Sequence, residues 1–195
     1  MNGNFLRLLL LIVFLPLGAG ALAWDTVEEL PGNSLFQNSA VWKNQLGNSF
    51  SFRELRGRPT VISMFYSRCT SSCPLTIENV QRLSRFLEQH GKKDTNFVLV
   101  SFDSENDTPE SLARFAKKHE IDKPRWHFLH GSADDVEELA VLLGIKFRRN
   151  DDGSYAHSNV LTLLNADGVP VLRHDGLQLS EDLLKEFLVH AQKKY

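Results

Sequence analysis

The stretch that most constrains the fold is a passage from strand to helix. Thr60-Val61-Ile62-Ser63-Met64-Phe65-Tyr66 is apolar, β-branched and aromatic, the composition of a central strand buried on both faces. It runs into Cys69-Thr70-Ser71-Ser72-Cys73-Pro74, which holds both cysteines of the chain with three residues between them. Pro74 suits the first helical position, where its missing N–H is one that goes unbonded anyway. The cysteines therefore sit at a strand-to-helix turn. Unpaired backbone N–H groups and the positive end of the helix dipole stabilise a thiolate there, which favours nucleophilic attack and metal binding alike.

The remaining periodicity builds an α/β domain around that passage. Residues 24–39 read as an extended lead-in with a turn at Pro31-Gly32-Asn33-Ser34. Ala40-Val41-Trp42 and Ser49-Phe50-Ser51-Phe52 flank Gly47-Asn48 as a β-hairpin. Ile77, Val80, Leu83, Phe86 and Leu87 recur at helical spacing up to Gly91. Phe97 to Phe102 is a second buried strand, and Asp107-Thr108-Pro109 caps a helix running to about His119. Trp126 to Leu129 is a short strand. The helix opened at Ser132 carries Val136, Leu139, Ala140 and Leu143 and stops at Gly144. Arg148 to Ser154 reads as a polar loop, followed by two strands, 159–164 and 170–173, joined across Ala166-Asp167-Gly168. Leu183, Leu184, Phe187 and Leu188 mark the last helix. The order hairpin, βαβαβα, hairpin, α predicts a thioredoxin-like three-layer α/β fold. In it a mixed central sheet has helices on both faces, and the N-terminal β-hairpin is an addition. No internal repeat interrupts residues 40–195, which read as one domain.

The beginning of the chain points to export. Arg7 precedes the apolar run Leu8 to Leu17, and small residues end in Ala21-Leu22-Ala23, the three parts of a secretory signal. Residues 1–23 are expected to be a signal peptide cleaved after Ala23, or else an uncleaved anchor; Pro16 and the short run count against the anchor. The expected location is the periplasm, with membrane contact only through such an anchor. A formal net charge of −2 over 195 residues gives no electrostatic case for nucleic acid. A chain of this length needs no disulfide to support its core. Two cysteines in an oxidising compartment are thus either a structural staple or a pair kept reduced for a purpose.

On a helical path, Cys69 and Cys73 share one face with Cα atoms about 6 Å apart. That spacing permits a disulfide and equally permits two sulfurs on one soft metal ion, Cu(I) or Zn(II) among them. Any third ligand has to come from elsewhere, and seven histidines are available. His90 and His119 lie at predicted helix ends, His174 and His190 read as exposed, and His127 and His130 flank a strand. His157 differs, because it stands at a loop-to-strand junction of the kind where an α/β sheet gathers site residues.

The blocks Cys69-Thr70-Ser71-Ser72-Cys73-Pro74, Ser101 to Pro109, Gly144-Ile145 and Tyr155-Ala156-His157-Ser158, in that order, resemble the Sco/SenC family from about Val41 to the C-terminus. The resemblance implies a thioredoxin-like fold that binds copper, as Cu(I) or Cu(II), through both cysteines and a distal histidine. It further implies a part in maturing the binuclear copper centre of cytochrome c oxidase subunit II, or of another copper protein. By the same resemblance Cys69, Cys73 and His157 are the implied copper ligands, and Asp103 to Asp107 would support the site. The chain departs from many members at Thr70 and Ser71, which stand in place of Pro and Asp and leave the motif without its carboxylate.

Three activities follow. The first is a copper-binding metallochaperone using Cys69, Cys73 and His157. The second is a thiol–disulfide oxidoreductase acting on the oxidase subunit's cysteines, with Cys69 attacking, Cys73 resolving and a periplasmic thiol reductant as a further partner. The third is an exported binding domain in which Cys69 and Cys73 form a structural disulfide.

Overall fold

The structure is a computed structural model describing residues 29–69 and 73–193; the signal segment expected over residues 1–23 lies outside the described residues. The elements are β1 (Trp42–Asn44), β2 (Ser49–Phe50), β3 (Thr60–Phe65), α1 (Cys73–Gln89), β4 (Asn96–Ser101), α2 (Pro109–Lys118) and β5 (Trp126–His130). They continue as α3 (Ala133–Leu142), β6 (Phe147–Arg149), β7 (Tyr155–His157), β8 (Val160–Leu164), β9 (Pro170–Asp175) and α4 (Glu181–Gln192). Seven strands form one mixed sheet in the order β2-β1-β5-β4-β3-β8-β9, and β6 and β7 pair separately.

The strand expected to be central is central. All six residues of β3 are buried, as are all six of β4, which requires cover on both faces of the sheet. One layer is the row α2-α1-α4. Gln81 of α1 donates to the His119 carbonyl at 2.8 Å, and Arg82 donates to the Leu179 carbonyl at 2.6 Å ahead of α4. That leaves α3 and the short 3-10 turns to close the other side. Ser63, a polar side chain in the middle of β3, donates across to the Val160 carbonyl at 2.7 Å, so its burial leaves no unpaired hydroxyl.

Strand direction determines where a site can form. β3 and β4 run parallel with Phe65 opposite Ser101, whereas β8 runs antiparallel to β3 with Ile62 opposite Thr162. The residues after β3, those after β4 and those before β8 therefore emerge at one end of the sheet. Cys69, Asp103 and His157 belong to these three segments.

Two segments differ from the sequence expectation. The lead-in is not extended throughout, because Leu35–Gln37 forms a 3-10 turn capped by Ser34. Phe36 is fully buried against Gly168, whose φ of 81° and missing side chain make room for the ring. The expected polar loop from Arg148 to Ser154 is instead the tip of a hairpin. β6 and β7 pair antiparallel with Phe147 opposite His157.

Candidate metal centre

From Tyr66 to Cys69 the chain after β3 is held by hydrogen bonds. The Cys69 N–H donates to the Tyr66 carbonyl at 3.3 Å. Ser67 donates its N–H to Asp107 Oδ2 at 2.8 Å and its hydroxyl to Oδ1, while the Ser101 hydroxyl also donates to Asp107. Arg68 donates from its guanidinium to Asp103 Oδ2 at 2.6 Å, and Asn106 donates to Asp103 Oδ1 at 2.7 Å. Both carboxylates are buried, Asp103 to 0% exposure and Asp107 to 1%.

Local sequence explains why the carboxylates meet this turn. Thr108 caps α2 by accepting from the Ser111 N–H, and Pro109 occupies the first turn. The chain from Asp103 to Asp107 is thereby folded into a turn, with the Asp107 N–H donating to the Asp103 carbonyl at 2.9 Å. Burial pushes the Asp103 carboxyl up, but the hydrogen bonds from Asn106 and Arg68 outweigh it and hold the group below the usual carboxylate range. Asp103 is therefore an anion at neutral pH, and the Arg68 guanidinium, raised chiefly by that hydrogen bond, is its counter-charge.

Tyr66 joins this turn to the hairpin. It is 5% exposed, and its hydroxyl accepts from the Tyr155 N–H at 3.4 Å. Its ring meets Tyr155 edge-on at 5.3 Å between centroids and His157 at 6.3 Å, and Phe102 lies 5.0 Å from the His157 ring. His157, at the end of β7, is half-buried in this aromatic corner. Its Nδ1 lies 3.1 Å from the Ser158 carbonyl. A carbonyl only accepts, so Nδ1 carries the proton in the neutral ring and Nε2 carries the lone pair. That is the tautomer of an imidazole that binds a metal through Nε2.

Cys69 is buried at 9% exposure and Cys73 is the first residue of α1. The structure thus brings the Cys69 turn and His157 to one end of the sheet, with Asp103 and Asp107 against the Ser67-Arg68 turn. Among the described residues no three His, Cys, Asp or Glu side chains form a metal-binding group. The fit to a soft metal rests on donor chemistry: a buried thiol and a half-buried imidazole with its Nδ1 proton pinned suit Cu(I) or Cu(II) better than a hard cation.

The other histidines lie elsewhere. His119 caps α2 against Phe115, and burial and Lys118 lower its pKa. His127 packs on Phe50, and burial lowers its pKa too. His174 and His190 are half-buried, not exposed. Tyr66, Ser67, Arg68, Phe102 and Tyr155 are site residues that sequence reading did not single out.

The sheet core β4-β3-β8-β9, with a cysteine-bearing turn between β3 and α1 and an imidazole supplied from a later hairpin, defines a thioredoxin-like domain with a thiol and imidazole site. The SCO1/SenC family model matches residues 32–190, and the chain belongs to that family. It is similar to a SCO1 protein homolog of Bacillus subtilis, 25% identical over 141 residues that cover 71% of this chain and 72% of that one. A SCO1/SenC family lipoprotein of Bacillus anthracis shares the fold with a TM-score of 0.70 and 24% identity, covering 78% of this chain and 92% of the other. Yeast Sco1, solved with copper bound, aligns with a TM-score of 0.69 and 17% identity over 80% of this chain and 88% of its own.

Proposed function

We propose that this chain is an exported copper-binding metallochaperone that passes copper to the binuclear centre of cytochrome c oxidase subunit II, acting in the periplasm. Cys69, Cys73 and His157 hold the ion. The observation that carries the reading is the Tyr66 link, which ties the turn bearing Cys69 to the hairpin bearing His157. Family membership supports copper as the cargo.

The chain's own residues have distinct tasks in this reading. Asp107 holds the Ser67 backbone and hydroxyl and Asp103 holds the Arg68 guanidinium, so the Cys69 sulfur is placed before the ion arrives. The Ser158 carbonyl keeps the His157 proton on Nδ1, so Nε2 is the donor. An acceptor's own ligands then replace these donors one at a time, with His157 the first to leave because it sits on a separate hairpin.

Burial of Cys69 supports this reading over a general thiol–disulfide oxidoreductase, in which the attacking sulfur has to reach a bulky disulfide. Copper titration of the reduced protein beside His157→Ala tests it. One equivalent is expected to bind wild type, with binding at least about tenfold weaker in the variant. Equal affinity in the two sinks the assignment. Disulfide turnover that needs no copper and survives His157→Ala favours the oxidoreductase instead.

A further inference from the structure

Among the described residues β6 pairs with β7 alone, and its other edge borders a cavity of about 560 Å³. The cavity runs between that edge and α3. Its floor is apolar, with Phe102, Val136, Ala140 and Ile145, and its rim is charged, with the cations Lys146, Arg148 and Arg149 and the carboxylates Glu105 and Glu137. This is the size range of sites that enclose a small ligand or a short segment of chain.

The hydrogen-bond pattern shows which backbone groups face it. Asn150 N–H donates to the Ser154 carbonyl at 2.8 Å and Ser158 N–H to the Lys146 carbonyl at 2.9 Å. Bonded and non-bonded pairs alternate in an antiparallel ladder, so Lys146, Arg148 and Asn150 direct their backbone groups at β7. Phe147 and Arg149 direct theirs outward, along the cavity side. The same alternation on β7 turns the Tyr155 N–H away from β6, where it meets Tyr66. An outward row of donors and acceptors on a short edge is a template for one more strand.

Side-chain alternation specifies that strand. Phe147 faces Phe102 at 4.9 Å between ring centroids, whereas Arg148 points to the opposite face and, among the described residues, has no acidic partner in an ion pair; nor has Lys146. Arg149 pairs with Glu105 at 3.0 Å. A residue lying beside Phe147 is thus best apolar, and its neighbour beside Arg148 best acidic.

We propose that the outer edge of β6 receives an extended segment of a partner protein, with alternating apolar and acidic residues, as an added strand. The partner's identity as the copper acceptor rests on the function proposed above; the strand addition itself does not. Phe102 and Tyr155 line both this cavity and the aromatic corner around His157, so the docked segment lies against the hairpin that carries the imidazole.

The test is fluorescence anisotropy of a fluorescein-labelled hexapeptide of alternating valine and aspartate, titrated into the reduced, metal-free protein. Saturable binding is expected, at least tenfold weaker when the peptide nitrogens along one edge are methylated and unchanged when those along the other edge are. Arg148→Glu is expected to weaken the peptide at least tenfold and to prefer the valine–lysine counterpart, with copper uptake unchanged. Arg149→Pro, which deletes an outward N–H, is expected to weaken it similarly. Absent binding at millimolar protein, or equal binding of both methylated peptides, overturns the proposal. So does concentration-dependent dimerisation that Arg149→Pro abolishes, since the edge then serves a second copy of this chain. Loss of copper uptake in wild type overturns the function above and leaves the peptide result standing.

Discussion

The two halves of the proposed copper site are held in different ways. Cys69 follows a six-residue strand buried on both faces, and its turn is tied by two fully buried carboxylates to the segment before α2. His157 ends a three-residue strand that, among the described residues, pairs with β6 alone, and its ring meets those of Tyr66 and Phe102 while its Nδ1 lies by the Ser158 carbonyl. Opening the first region means breaking hydrogen bonds to two buried carboxylates inside the core; opening the second means separating the half-buried His157 and Tyr155 rings from the buried Tyr66 and Phe102 and breaking neutral hydrogen bonds. Local stability varies in this way across a fold, and moving parts come from the weaker end. A carrier that has to hold an ion and then release it gains from that inequality.

The largest test is to remove one donor from the firm half. Cys69→Ser deletes a thiolate from a prepared position, and copper affinity is expected to fall by more than about a hundredfold, beyond the range seen when only supporting residues are lost. His157→Ala should lose less. A competition titration against a Cu(I) chelator checks the order, and a larger loss at His157 would reverse the comparison.

Next is the support beneath Cys69. Asp107→Ala leaves the Ser67 N–H, the Ser67 hydroxyl and the Ser101 hydroxyl without their acceptor in a buried place. Unfolding in urea should show a loss of about 3 kcal/mol, since bonds to a charged acceptor are the strong ones and an orphaned donor is costly. A loss below about 0.5 kcal/mol, the range of ordinary surface substitutions, would mean the turn does not depend on the carboxylate.

Arg68 offers a pH test of smaller size. The Asp103 pKa lies lower in the folded chain than in the unfolded one, so its stabilisation is fully present above the ordinary carboxylate value. It is lost as pH falls through the folded value, that is, below about pH 4. In Arg68→Ala one of the two lowering side-chain bonds is gone while burial still pushes the group up, so the acid limb of unfolding should move to higher pH. Because the Arg68 side chain is half exposed, the change at neutral pH is expected to be modest. Coincident acid limbs for the two proteins would show that Asn106 alone holds the carboxylate.

The same contrast explains what could be read from the sequence. The firm half was legible because Thr60 to Tyr66 is continuously apolar and Pro74 marks a helix start, signals that depend on neighbours in the chain. The capped turn at Asp107-Thr108-Pro109 is legible for the same reason, whereas its place beside the cysteines follows only from the family resemblance. The pairing of Arg68 with Asp103 is not legible, since nothing local says which carboxylate an arginine meets. Most of β6 falls in the stretch that reads as a polar loop because Arg148 and Arg149 are exposed and polar, so no alternation marks a strand. The 3-10 turn at Leu35–Gln37 was hidden likewise, its buried Phe36 being fixed by a distant glycine.

Tyr66 is where the two halves meet, and Tyr66→Phe is the finest probe of their difference. The ring stays, so its contacts with Tyr155 and His157 persist, and only the hydroxyl that accepts from the Tyr155 N–H is lost. The bond to the Tyr155 N–H is long, at 3.4 Å, and a neutral hydrogen bond is worth about 1 kcal/mol, so urea unfolding should shift by about 1 kcal/mol. Copper affinity should fall more visibly, by up to about tenfold, because the loss falls on the hairpin that positions His157 and not on the turn that positions Cys69. Thiol reactivity of Cys69 in the metal-free protein should then be unchanged. If reactivity rises together with the loss of affinity, Tyr66 supports the turn as much as the hairpin, and the two halves are one unit.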